Sequence, residues 1–524
     1  MKKTNVWKAM NSICPRKAAN PIHCIYNQYD SIKEAANVIN DNLTKVFSTR
    51  ESLPPPPNCL PQNFTSTNET QVRSLLEKLS VHKASPDIPT KLYKAAAPIL
   101  AKPLALLINS SLEQGKVPVQ WKISTIIPLP KTSTPKTVDE VRPISLLPIP
   151  SKILEFVVLH FAKPIFLNEY GDSQFGFRAG SSTTCALIVL HNHVTKLLED
   201  RNVAGVQIVT YDFSKAFDRL RHDVIIQRLI DCKMPEKLVR WLSDYLENRY
   251  QAVKIGNELS SAMPVSSGVP QGSLLGPFLF SIVMGSLTFH DPQCQIIKYA
   301  DDITLCMPIF KNTSNTHIAD AHDKLISWTI DVGLQLNMGK CKTLVIPRST
   351  KCSSILIPGI QTVKQITLLG VVFNDKLTWK EHIDKVVKIS SRRLFPLRVL
   401  KPYLDRHELR NAYYGVMRSI MEYAAPLFVG LSKTDADRLE KLQRRFHRLL
   451  CGKECKEACL TTITERRRNL ACKLYRSAVS KDHILHPIVC RMAKSGRYIL
   501  PHLHTSRRLN TFAIKTAILL NETT

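Results

Sequence analysis

QIIKYADDITLCM, residues 295–307, sets two adjacent acids, Asp301 and Asp302, between two apolar runs. Alternating and apolar residues on both sides of a tight polar centre read as two buried strands joined by a hairpin turn. An acid pair at such a turn ordinarily meets only water, because Asp is a preferred turn residue in its own right. What the pair does therefore depends on what else the chain brings to it.

Upstream, GVQIVTYDFSKAFDRLRHDVII (residues 205–226) holds a second apolar strand with Asp212 just where it must end. An acid at the carboxyl end of a buried strand is a favoured site position, and an Asp that caps a helix has the same appearance. Asp218 and Arg219 follow as a local surface pair. SSGVPQGSLLGPFLFSIVMGSL (residues 266–287) gives a turn around Gln271 and Gly272, where backbone can approach a ligand, and then a buried helix. Further upstream, WKISTIIPLPK ends a strand at Lys131, and a polar loop leads to Arg142. Those two cations are either solvated loop charges or donors to a triphosphate, with Arg offering a fork and Lys a point charge. The turn SQFGFRAGSS holds Arg178 and precedes a helix that Ser181 to Thr184 can cap. Leu238, Trp241, Leu242 and Tyr245 share one helical face and are expected in the core. Taken together, Asp212 and Asp301 form one site: two divalent cations about 4 Å apart need oxygens from carboxylates on neighbouring strands.

Composition narrows the partner. The chain has 524 residues, 44% of them hydrophobic, and its 72 Lys and Arg against 43 Asp and Glu leave a formal charge of +29. A surplus that large favours a nucleic acid, and membrane-surface proteins share the signature. No secretory leader and no uninterrupted apolar run of about 18 residues is expected to anchor it, so an intracellular place, nuclear or cytoplasmic, without membrane, is expected. The 14 irregularly spaced cysteines suit reduced thiols. Cys451, Cys455 and Cys459 with His447 form a helical stripe and not a zinc knuckle. Residues 1–64, with Pro54 to Pro57, are expected as an N-terminal extension and linker. From Trp379 onward the text is helical and basic, with clusters at Arg392-Arg393, Arg444-Arg445, Arg448 and Arg466 to Arg468 that suit a polynucleotide backbone.

The ordered blocks KASPDIPTKLY, IIPLPK, VRPISLLPIPSKILE, QFGFRAGSST, YDFSKAFDRL, SSGVPQGSLLGP, YADD, GLQLNMGKCKTLVI, LLGVVFNDKLTWKEHI, MEYAAPLF and LQRRFHRLL carry a resemblance. From about Lys83 to the C-terminus the chain resembles the reverse transcriptases of non-LTR (LINE-type) retrotransposons, jockey-like mobile elements among them. The resemblance implies an α+β right-hand polymerase, with fingers and palm over 65–378 and a basic helical thumb and C-terminal region over 379–524. It implies that Asp212 and Asp301 are metal ligands, with Asp302 supporting and the Phe213 carbonyl completing the shell around Mg2+, or Mn2+ in its place. Phe217 matches an aromatic gate against a ribose 2′-hydroxyl, or else a core aromatic. Gln271 and Gly272 match the turn under the nascent base pair, and Lys131 and Arg142 the triphosphate grip. Lys340 matches the lysine near the leaving pyrophosphate, with Lys342 as the alternative. Arg178 and the hairpin at Leu368, Leu369 and Gly370 match template and primer contacts.

The implied activity is RNA-directed DNA synthesis from dNTPs on an RNA template, extending a DNA primer 3′-hydroxyl. The alternative is an inactive nucleic-acid-binding relic. A group II intron-type enzyme is a rival that LLGVVFNDKLTWKEHI argues against. Val283 to Ser286 depart from the Ile-Asn-Asp stretch common in the family, and no endonuclease or RNase H domain is expected.

Overall fold

The computed structural model describes residues 23–26, 28–47, 53–54, 66–82, 84–132, 134–166, 173–348, 352, 355–452, 460–503 and 505–523. Pro55 to Pro57, Lys83, Cys455 and Cys459 lie outside them.

Twelve strands among the described residues form two larger sheets and one hairpin. In chain order they are β1 (Ile123–Pro130), β2 (Val141–Leu146), β3 (Val203–Tyr211), β4 (Arg249–Ile255), β5 (Glu258–Leu259), β6 (Met263–Val265), β7 (Gln295–Tyr299), β8 (Asp302–Phe310), β9 (Lys342–Pro347), β10 (Gln361–Val363), β11 (Gln365–Leu368) and β12 (Val371–Asn374). The central sheet runs β10-β9-β3-β8-β7, antiparallel except where β10 joins β9. β3 is buried along nearly its whole length, so it reads as a continuous apolar run without alternation. Layers on both faces explain that pattern. One face meets the helices Ile149–Phe166, His222–Asp231, Glu236–Leu246 and Leu275–Gly285. The other meets the helices Thr183–Leu197, Ile463–Ala478 and Phe512–Thr523. Leu238, Trp241, Leu242 and Tyr245 are all 0–1% exposed, as their spacing predicts.

The second sheet, β2-β1-β4-β5 with β6 also on β4, lies beside the first. Part of the stretch expected as an N-terminal extension and linker packs on it. The helix Ile32–Thr44 lays Ala35, Ala36, Ile39 and Leu43 on Ile126, Val141, Val253 and Ile255. Its buried Asn40 accepts from the Gln251 amide at 3.0 Å and donates to the Ser261 carbonyl at 2.9 Å. A buried polar side chain is tolerable only when so satisfied.

Past Trp379 the chain divides. Helices Lys380–Leu400, Arg406–Tyr413 and Lys433–Cys451 pack around Leu397, Tyr413 and Phe446 as one bundle. The helices Ile463–Ala478 and Phe512–Thr523 then return to the back of the central sheet, where Arg508 donates to the Asn192 carbonyl at 2.8 Å. Arg466 and Arg467 are thereby taken out of the basic surface the sequence suggested. Arg466 forks onto Glu422 at 2.5 and 2.9 Å, and Arg467 is 5% exposed. Arg392, Arg393, Arg444, Arg445, Arg448 and Arg468 do face solvent. No helix among the described residues is long and apolar enough to cross a membrane.

Candidate active site

The hairpin expected at residues 295–307 is present, with Tyr299 paired to Asp302 and only Ala300 and Asp301 in the turn. Ala300 has φ +56, the sign that the first position of a two-residue II′ turn demands. A second segment holds this turn in place. Phe175 donates to the Lys298 carbonyl and Lys298 to the Ser173 carbonyl, both at 2.8 Å, so residues 173–175 extend the sheet beyond β7. The next residue, Gly176, lies so close to the Ala300 nitrogen that a Cβ has no room. This is why QFGF carries glycine at that position.

β3 and β8 pair antiparallel, Tyr211 opposite Ile303, which brings Asp212 beside the turn acids at one end of the sheet. The 334–337 segment closes over Asp212 from the other side. Asn337 donates to the Asp212 carbonyl at 2.8 Å, and Ser214 to the Gln335 carbonyl at 2.8 Å. Phe213 faces Leu336 between these bonds, so its own carbonyl turns away from Leu336.

The electrostatics follow from this crowding. Burial, and then the Asp212 charge, push the Asp301 carboxyl up, while Arg142 and Lys340 pull it back. Asp302 is pushed up to about 6 by burial and by the charges of Asp301 and Asp212. Asp212 Oδ2 is buried without a hydrogen bond, and the Lys340 ammonium stands 3.1 Å from it. Lys340 is thus the lysine that reaches the carboxylates; Lys342 is exposed at the start of β9, where its carbonyl accepts from Thr210 Oγ1 at 3.1 Å. Among the described residues no group of three or more His, Cys, Asp and Glu forms a metal cage. The donor set still fits a hard cation: mutually repelling carboxylates, an orphaned oxygen and a free-standing backbone carbonyl.

Across from the acids stands a group of cations. Lys131 Nζ donates to the Asp139 carbonyl and Lys215 Nζ to the Asp139 carboxylate, each at 2.8 Å. Burial, and then the charges of Lys215, Lys340 and Arg142, lower the Lys131 pKa. These four cations lie close enough to perturb one another; Lys215 pairs with Asp139 and Lys340 with Asp212, and the positive excess that is left suits a further anion. Lys215 joins Lys131 and Arg142 here without having been expected; its place in YDFSKAFD between two acids was the available signal.

Beneath the site, the Gln271 carbonyl accepts from the Ser145 nitrogen, at 2.7 Å. Gly272 has φ +124, and a Cβ there would stand 2.7 Å from the Ser145 carbonyl oxygen. The Gln271 amide nitrogen reaches both Asp218 oxygens at 2.8 and 2.9 Å. Asp218 is therefore a partner of this turn, and the expected surface pairing with Arg219 is corrected. Phe217 stacks on Phe280 with ring centroids 4.5 Å apart and stays half-buried. Arg178 sits in the turn ahead of the helix Thr183–Leu197, which Ser182 caps.

The β11–β12 hairpin turns at Leu369 and Gly370, with φ +44 and +86. The Tyr423 hydroxyl, from MEYAAPLF, lies 2.7 Å from the Leu369 carbonyl and 2.9 Å from Thr183 Oγ1. A role for that tyrosine was not visible in the sequence, because its partners are 54 and 240 positions away.

Residues 129–373 match the family model described as reverse transcriptase (RNA-dependent DNA polymerase). Among curated proteins, the RNA-directed DNA polymerase from mobile element jockey of Drosophila melanogaster is 27% identical over 73% of this chain and 43% of its own length. The probable RNA-directed DNA polymerase from transposon BS of the same fly is 29% identical over 66% of this chain and 40% of its own. The chain thus spans about two fifths of the length of these relatives. Among solved structures, telomerase from Candida tropicalis in complex with a fragment of telomeric RNA is similar at 13% identity, covering 73% of this chain and 67% of that one, with a TM-score of 0.38.

Proposed function

We propose that this chain, which carries a reverse transcriptase domain of the non-LTR retrotransposon kind, is an RNA-directed DNA polymerase that extends a DNA primer 3′-hydroxyl with dNTPs on an RNA template. The observation that carries the reading is the meeting of Asp212, Asp301 and Asp302 at one sheet end with Lys131, Arg142, Lys215 and Lys340 around them. Acids facing a cation cluster suit a reaction that brings metal-bound phosphates between them.

Asp212, Asp301 and the Phe213 carbonyl would hold the cation, with Asp302 adjacent. When bound, Mg2+ or Mn2+ supplies Lewis acidity at the attacking and leaving oxygens. Lys131 and Arg142 bind and orient the triphosphate, and Lys340 lies where charge builds on the leaving pyrophosphate. Gln271 and Gly272 form the floor under the incoming nucleotide, and Arg178 meets the template strand. Leu369 and Gly370 seat the primer end, and the bundle of helices Lys380–Leu400, Arg406–Tyr413 and Lys433–Cys451 tracks the duplex through its exposed arginines.

Primer extension by purified protein on an RNA template, with Mg2+ and labelled dNTPs, tests this. Incorporation by wild type and none by Asp212→Ala is expected; equal incorporation by both would reject the site, and none by either would favour the inactive relic.

Two further outcomes follow from the geometry. Phe217→Val removes the aromatic ring that stacks on Phe280 and is expected to raise ribonucleotide incorporation relative to dNTPs by ~10-fold or more. An unchanged ratio of the two in competition assays would leave Phe217 a core aromatic only. Tyr423→Phe removes the hydroxyl that holds the Leu369 carbonyl. Single-nucleotide addition should persist while product length under a heparin trap falls about two- to fivefold, the scale of one ordinary hydrogen bond; full-length products in the trap would exclude that role.

A further inference from the structure

A cleft of about 610 Å3 opens where the loop before helix Lys380–Leu400, the start of helix Lys433–Cys451, helix Thr183–Leu197 and residues 506–510 come together. Its walls are held to one another. A Cβ on Gly430 would stand 2.4 Å from the Asn510 carbonyl oxygen. The Trp379 indole packs perpendicular to the Phe373 and Phe428 rings, with centroids 5.3 and 5.0 Å away. It is only half-buried there, and the surface it keeps lines the cleft.

Charge in the cleft is not balanced. The nearby acids are engaged: Arg438 lies between Asp384 and Asp435, 3.2 Å from the latter, and the Ser432 hydroxyl donates to Asp435 at 2.9 Å. Burial, and then the Arg508 charge, push His191 down to about 4, which leaves it neutral. Lys376 and Lys380 are exposed and enter no ion pair among the described residues. Arg507 donates to the Pro347 carbonyl at 3.4 Å, a bond that places the guanidinium without neutralising it. Three cations thus share a cavity of the size that takes a nucleotide, beside an aromatic ring and the hydroxyls of Thr378, Thr434 and Ser506.

Cations for a phosphate backbone and an aromatic surface for a base are the parts of a single-strand site. A paired base, stacked within a duplex, has no free face for the indole. The hydroxyls add a preference for RNA, because the 2′-hydroxyl is both donor and acceptor. The cleft also stands apart from the acids. Pro347, which Arg507 touches, pairs with Gly205 near the start of β3, whereas Asp212 follows its end, about 23 Å away at the rise of a strand.

We propose that this cleft binds a single-stranded RNA segment outside the template–primer path, with phosphates on Lys376, Lys380 and Arg507 and a base against Trp379. The inference goes beyond the polymerase reading and does not depend on it.

The test is binding of a labelled oligouridylate of about ten nucleotides by the full chain, with an unlabelled RNA–DNA template–primer duplex in excess to fill the sites that take a duplex. Charge reversal by Lys376→Glu together with Lys380→Glu is expected to weaken binding ~10-fold or more. The slope of log affinity against log salt should flatten by about 1.4, the share of two phosphate contacts on a single strand. An oligouridylate carrying 4-thiouridine should cross-link to residues 376–380 or 506–510 of the wild type. Unchanged affinity and slope in the double variant, or wild-type cross-links confined to other segments, would overturn the proposal. Oligodeoxyuridylate bound as tightly as oligouridylate would overturn the assignment to RNA. Both lysines are exposed, so the double variant should melt with the wild type, and the cross-linking arm needs no variant at all. Failure of primer extension would reject the polymerase reading and leave this binding measurement untouched, so the two failures are distinguishable.

Discussion

Asp301→Asn is expected to lower primer extension by at least ~10³-fold while leaving the protein as stable as the wild type or slightly more so. The loss in activity follows because the turn residue is one of two carboxylates that would hold the cation, and an amide brings no charge to it. The effect on stability has the opposite sign. Asp302 stands at about 6 because burial and two neighbouring carboxylates disfavour its charge. A carboxyl raised in the folded state contributes most below its unfolded pKa, and that contribution is lost as pH rises through the folded value. The metal-free wild type should therefore lose a little stability between about pH 4 and pH 7, and Asp301→Asn should flatten that slope. Solvent reaches Asp302, which is exposed, so screening keeps the effect below about 1 kcal/mol. Millimolar Mg2+ should raise the wild-type melting temperature at pH 7.5 and leave that of Asp301→Asn unmoved, since a ligand stabilises only the state that binds it. A variant that keeps the Mg2+ shift, or that keeps extension activity, would remove Asp301 from the site.

How much of this was legible in the sequence depended on the range over which each signal acts. The YADD hairpin, the strand before Asp212 and the helix after Gln271 are local, and periodicity with turn chemistry located all three. The α+β class follows from the same signals. Lys340 over Lys342 was legible only through resemblance, because on a strand and its preceding turn either lysine could point inward; the 3.1 Å approach to Asp212 separates them. Asp218 was misread because an Asp followed by an Arg looks like solvent chemistry, whereas its partner is 53 positions away. Arg466 and Arg467 were misread for the same reason. Their partners, Glu422 and the Phe428 carbonyl, come from a segment that reads as an apolar motif. Helix Ile32–Thr44 looked like part of a linker because its sheet partners begin some eighty positions later, beyond the polyproline break. Non-local pairing was the common cause.

Glu155→Ala is expected to cost about 3–5 kcal/mol of stability. Glu155 is 1% exposed inside the helix Ile149–Phe166, an expensive place for a carboxyl, and burial raises its pKa accordingly. Its donors explain its presence. The Tyr245 hydroxyl donates to it at 2.9 Å and the Leu274 nitrogen at 2.6 Å, and the charge of the buried Arg249 also favours the ionised form. Arg249 in turn donates to the Tyr245 carbonyl at 3.1 Å and lies over the Tyr245 ring. Alanine would leave the helix-start nitrogen and a buried hydroxyl without acceptors and a buried guanidinium without its counter-charge. Glu155→Gln keeps one acceptor but turns an NH2 toward a second donor, so about 1–2 kcal/mol is expected for it. Urea unfolding should rank the wild type first, Gln second and Ala last, with Glu113→Ala, an exposed position in the helix Ala97–Gln114, within about 0.5 kcal/mol of wild type. Because Leu274 follows the Gln271-Gly272 turn by two residues, the Gln variant should also raise the KM for dNTP more than it lowers kcat. Ala and Gln variants of equal stability would mean that Glu155 fills space and bonds nothing.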